Sequence, residues 1–147
     1  MVSHINANRL ATGSAAGWLL VLPAVIFISL GCAGGKLTAV KSESEFQHLV
    51  LNADKPALVD FYKAGCPACA MLDPTMDKLA EKYTGRVTFA KVERSEKSIR
   101  QRYEIYSYPT VILFVGGTEH QRWTSEFSQA EYERTLDQVL AEPPTSQ

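Results

Sequence analysis

In the stretch "FYKAGCPACAMLDP", Phe61 to Pro74, two cysteines form a C-x-x-C pair, Cys66 and Cys69. That spacing suits three chemistries: dithiol-disulfide exchange, half of a tetrahedral metal site, or a structural staple. A structural zinc ion wants four Cys or His ligands. The third cysteine, Cys32, belongs to a different kind of segment, and His48 and His120 stand far along the chain, so no metal is expected. A staple closing so short a loop adds little stability. Exchange asks for one thiol activated as a thiolate and a second within reach to resolve a mixed disulfide. The two sulfurs suffice for that reaction, and no cofactor is expected.

The element that must carry the pair is a helix. Met76, Leu79, Ala80 and Tyr83 recur at i, i+3, i+4 and i+7 until Gly85, which puts Cys66 at a helix N-terminus. Backbone N–H groups and the helix dipole there favour a negative group, so Cys66 is the expected nucleophile. Cys69, one turn on and on the same face, is the expected resolving thiol. Pro67 suits the first turn, where the N–H it lacks would have no intrahelical partner.

Upstream, "PALVDFY" is a near-continuous apolar run with Asp60 in its middle and reads as a fully buried strand. A buried acid resists ionisation, so Asp60 should hold its proton unusually tightly and is a candidate proton acceptor beside the pair. Lys91 falls in the next strand, "RVTFAKV", where its stem is expected to pass through the core and meet Asp60.

The other elements follow in short steps. "KLTAV" is a strand, and "SESEFQHLV" a helix with Ser42 and Glu45 as a capping box. "SEKSIRQRYEI" is a helix with Ile99 and Tyr103 on one side, and "TVILFVGG" a strand that pairs back with "TEHQRW" across Gly116-Gly117. Ser128 and Glu131 cap a last helix carrying Tyr132, Leu136, Val139 and Leu140. The order predicts an α/β fold: a central mixed β-sheet flanked by helices on both faces, parallel where helices cross over and antiparallel at the hairpin.

The N-terminus differs in kind, because no residue between Arg9 and Lys36 is charged. Basic start, apolar centre and small residues after it predict a signal peptide or membrane anchor over 1–35. Three fates fit: lipidation of Cys32 in a lipobox-like "SLGC", cleavage after Ala33, or retention of residues 10–35 in the membrane. Each delivers the domain over 36–141 outside the cytoplasm, to the periplasm or anchored facing it; residues 142–147 read as a flexible tail. Elsewhere the composition is ordinary for one globular domain, with 147 residues, 46% hydrophobic and 21% charged. A net charge of −1 with no basic run gives nucleic-acid binding no electrostatic support.

From about Thr38 to Leu140 the chain resembles the thioredoxin superfamily. "LVDFYKAGCPAC" is similar to its strand, acid, aromatic and C-x-x-C segment, and Pro74 stands five after Cys69, where that family carries a helix-kinking proline. "AKVE" resembles the segment with the buried lysine, and "YEIYSYPTVILF" the segment with the active-site cis-proline. The resemblance implies a thioredoxin-like fold. It makes Cys66 the attacking and Cys69 the resolving cysteine, Asp60 the buried acid, Lys91 its partner and Gly117 the hairpin glycine. Pro109 becomes the cis-proline, beside which the Tyr108 backbone pairs with an extended substrate segment. Gly65, Pro67 and Ala68 depart from the signature, which has tryptophan before the first cysteine and glycine-proline between the two. The implied activity is a thiol-disulfide oxidoreductase acting on disulfide-containing or dithiol proteins. Asp60 and Lys91 favour a reductase, which outside the cytoplasm would draw on a membrane-bound electron donor. The alternative of another class is a non-catalytic thiol module that binds a metal ion or partner protein, without turnover.

Overall fold

The computed structural model describes residues 36–124 and 128–141. The expected leader over 1–35, with Cys32, and the tail over 142–147 lie outside the described residues. In order come β1 (Thr38–Val40), α1 (Glu43–Phe46), a π-wound turn (Gln47–Leu51), β2 (Ala57–Tyr62), α2 (Pro67–Lys82) and β3 (Thr88–Glu93). Then follow α3 (Lys97–Arg102), β4 (Thr110–Val115), β5 (Thr118–Trp123) and α4 (Gln129–Ala141).

The strands form one sheet in the order β1-β3-β2-β4-β5. Strand β2 lies at its centre, parallel to β3 and antiparallel to β4. Its residues Ala57 to Phe61 are all buried, as an apolar run with both faces covered requires. Alternation along β2 divides the core. Leu58 packs with Leu72, Met76 and Leu79 of α2 and Leu136 of α4 on one face. On the other, Val59 and Phe61 pack with Phe46, Val50, Ile99 and Ile105. Each such side chain contributes about 1.5–3 kcal/mol by leaving water, so β2 is a firmly anchored platform for a group placed at its end.

One expectation about direction needs correction. A helix joins β3 to β4, yet β4 runs antiparallel to β2. Helix α3 spans only Lys97–Arg102 and stops in a Schellman closure: Ile105 N–H donates to Arg100 O at 3.0 Å and Glu104 N–H to Gln101 O at 3.3 Å. Glu104 takes the left-handed conformation, φ 51°, that this closure needs at the residue after the cap. The chain therefore turns back before a parallel crossover is complete, and the helix is shorter than its periodicity over 95–105 suggests.

Caps account for the other boundaries. Ser42 Oγ accepts from Glu45 N–H at 3.2 Å, while Glu45 reaches back to Lys41 N–H at 2.7 Å. Before α4, Glu131 accepts from both the N–H and the hydroxyl of Ser128 at 2.9 Å. The β4–β5 hairpin runs through Gly116 and Gly117 at φ 56° and 75°, with a bulge after Leu113 that leaves His120 unmatched. A β-carbon on Gly117 would collide with the Leu51 carbonyl of the π-wound turn, so this glycine serves close packing as well as the turn.

Candidate active site

Strand β2 ends at Tyr62, and the chain turns through Lys63 to Cys66, whose N–H donates to Lys63 O at 3.2 Å. Gly65 takes φ 71° in this turn. Helix α2 then begins, with Cys66 as N-cap and Pro67 in its first turn. Cys66 is partly exposed and Cys69 is buried, and both thiols are free.

The two sulfurs have unlike surroundings. Cys66 Sγ accepts from Cys69 N–H at 3.3 Å, occupying a position where Ser, Thr, Asp or Asn more often caps a helix. Hydrogen bonding from Cys69 pulls the Cys66 thiol below its ordinary pKa, helped by the Ala68 N–H and the nearby Lys63 charge. Burial pushes the Cys69 thiol up to about 11, with the hydrogen bond to Cys66 adding to the rise. Of the two, Cys66 is therefore the sulfur that ionises more readily, and Cys69 the one that holds its proton. Opposite the pair, the Tyr108–Pro109 peptide is cis, and the Tyr108 carbonyl lies 3.8 Å from Cys66 Sγ. Thr110 steadies that loop by donating to Ser107 O at 2.8 Å.

Asp60 is 1% exposed on the α2 side of β2, and among the described residues neither carboxylate oxygen has a hydrogen-bond partner. Burial, reinforced by the Asp73 charge, lifts its pKa from 3.8 to about 7, against a smaller pull from Lys91. Lys91 is in register with Asp60, but the expected contact through the core is not made. Its ammonium sits over the Tyr62 ring, 5.4 Å from the centroid. An ammonium at a half-buried position keeps its water while its stem lies against an aromatic face; reaching Asp60 would strip that water. Lys91 thus acts on Asp60 through space.

The structure brings Cys66, Cys69, Tyr108 and Pro109 together, and sets Asp60 and Lys91 on adjacent strands of the same sheet. Sequence reasoning did not single out Lys63 or Asp73, although both stand within a few residues of the cysteines and their charges could have been weighed there. Among the described residues no three His, Cys, Asp or Glu side chains gather as metal ligands, and no helix is long and apolar enough to cross a membrane.

A family model described as "Thioredoxin" matches residues 37–139. Thioredoxin 1 of a Nostoc species is 32% identical over 100 residues, 67% of this chain and 94% of that protein. Chloroplastic thioredoxin M4 of Arabidopsis thaliana is 36% identical over 102 residues, 69% of this chain and 53% of that protein. The chain spans about half the length of the chloroplastic relatives it matches. Among solved structures, Malassezia sympodialis thioredoxin superposes with a TM-score of 0.65 at 23% identity, covering 73% of this chain and 93% of that one, a likeness of fold.

Proposed function

The chain belongs to the thioredoxin family, and on that premise we propose that it is a protein disulfide reductase working through Cys66 and Cys69. The observation that carries this reading is the asymmetry of the pair: a solvent-facing sulfur whose charge is stabilised by Cys69 N–H at 3.3 Å, next to a buried thiol pushed up to about 11.

The Cys66 thiolate attacks one sulfur of a substrate disulfide, forming a mixed disulfide and releasing the first substrate thiolate. The Tyr108 carbonyl, 3.8 Å from that sulfur, accepts a backbone N–H of the extended substrate segment. Cys69 then gives up its proton, with Asp60 as the acceptor, directly or across water. Its sulfur attacks Cys66 Sγ and expels the second substrate thiolate. The substrate disulfide gains two electrons and the pair is left as the Cys66–Cys69 disulfide, to be reduced by a donor.

The uncharged run before Lys36, with Arg9 at its start, supports delivery of the domain outside the cytoplasm, anchored by residues 10–35 or by a lipid on Cys32. In that setting the donor is membrane-bound, and the substrates are disulfide-containing exported proteins.

Reduction of insulin disulfides by the full chain with dithiothreitol tests the reading. Turnover is expected, and Cys66→Ser should abolish it; undiminished turnover in that variant would remove Cys66 as the nucleophile. The potential of the pair measured against glutathione tests the direction. A value near the reducing end of the range, about −270 mV, supports a reductase, and one near about −120 mV means an oxidase.

A further inference from the structure

Beside the dithiol, at the ends of β2 and β3, a cavity of about 400 Å³ is lined by Lys63, Ala64, Glu93, Arg94, Ser95, Lys97 and Arg100. Four of these residues are cationic and one is acidic. Arg94 is held against β2, its N–H donating to Tyr62 O at 2.9 Å, so the cavity opens next to the turn that leads into Cys66. Among the described residues none of the four cationic side chains makes an ion pair or a hydrogen bond. The Arg100 Nε is even shut off from solvent without a partner. The single acid bonds within the same lining, where Glu93 accepts from Ser95 Oγ at 3.0 Å, and leaves the four cations in excess.

We propose that this cavity is a docking site for an acidic segment of the protein substrate, next to the disulfide that Cys66 attacks. The proposal rests on the oxidoreductase reading and adds the class of substrate. A cavity whose cations keep no internal partner is complementary to carboxylates, and a charge-lined concavity raises the capture rate of a partner of opposite sign. Lys63 ties the two places together: it lines the cavity and its charge also favours the Cys66 thiolate. A substrate's carboxylates on one side of its disulfide would meet Arg94, Lys97 and Arg100 while its sulfur approaches Cys66.

The experiment uses the full chain and two synthetic peptides, each closed by one disulfide and differing only in the residues flanking one cysteine: four glutamates in one, four glutamines in the other. The quantity read is the ratio of kcat/KM for the acidic peptide to that for the neutral one, so that changes in the dithiol itself cancel. A ratio of roughly ten is expected at low ionic strength, from two or three exposed charge pairs. It should fall toward one as salt shortens the screening length from about 10 Å at 0.1 M to about 3 Å at 1 M. Arg94→Glu with Lys97→Glu should bring the ratio to one or below at low salt, and Arg94→Lys should keep most of it. A ratio near one in the unaltered protein, or a ratio untouched by the double charge reversal, overturns the docking site. Failure to turn over either peptide overturns the oxidoreductase reading, and the docking site with it.

Discussion

At Asp60 a single carboxyl group links burial, pH and the proposed proton transfer. The folded protein keeps its proton up to about pH 7, whereas an ordinary aspartate loses it near 3.8. Between those values the native state binds more protons than the unfolded one, so stability falls as pH rises through that window and levels off above it. Asp60→Asn removes the effect. It should stabilise the protein by roughly 2–4 kcal/mol at pH 8 and by almost nothing at pH 4, read from urea unfolding at both values. An equal gain at the two pH values would sink the assignment. The same variant should slow the resolving step, so that the mixed disulfide with Cys66 accumulates. The thiols themselves are expected to differ in reactivity. Iodoacetamide at pH 7 should label Cys66 well before Cys69, as mass spectrometry of the reduced protein would show; comparable labelling contradicts the asymmetry. The positions of Cys66, Cys69 and Asp60 were legible in the sequence because each is fixed by local pattern: a helix start, one turn later, and the middle of an apolar run. The seat of Lys91 was not, because it depends on a competition between the Tyr62 ring and a buried carboxylate that only the packed sheet decides.

The elements were legible where side chains cap or alternate and less so where the backbone alone decides. Ser42 with Glu45 and Ser128 with Glu131 mark two helix starts that the structure keeps. The end of α3 was missed, since nothing in the apolar spacing of Ile99 and Tyr103 marks the stop at Glu104. Glutamate is an uncommon residue in the left-handed region, where a β-carbon costs about 1 kcal/mol. Glu104→Gly should therefore stabilise the fold by roughly 0.5–1 kcal/mol in a urea titration, with turnover retained. A loss of stability would mean that the Glu104 side chain matters more than its backbone. Gly117 is the opposite case. Alanine there meets both a positive φ of 75° and the Leu51 carbonyl, and should cost about 2 kcal/mol or more, moving the urea midpoint down. A midpoint unchanged by Gly117→Ala would show that the π-wound turn yields freely.

Across the whole molecule, what the sequence hid is where charge gathers. A net charge of −1 reads as balanced, and the cations at 63, 94, 97 and 100 are spread through two loops and a helix. Only the pairing of β2 with β3, Tyr62 opposite Glu93, brings those loops together beside Cys66. The uncharged run before Lys36 bears on the opposite question, which side of a membrane this surface faces. Arg9 stands ahead of the run and no other charge interrupts it up to Lys36; the proposed export therefore predicts that the basic flank stays inside and the domain is delivered across. A protease added to spheroplasts of a bacterial host expressing the full chain should then digest the domain without lysis, and a cytoplasmic marker should survive. If Cys32 carries the anchor, the membrane-bound form should hold a lipid-modified Cys32 as its first residue by mass spectrometry. Cys32→Ser should then remove the modification while the domain stays folded. Protection of the domain until the cells are lysed would place the dithiol in the cytoplasm, where no membrane-bound donor is required and the cationic cavity would meet a different set of acidic partners.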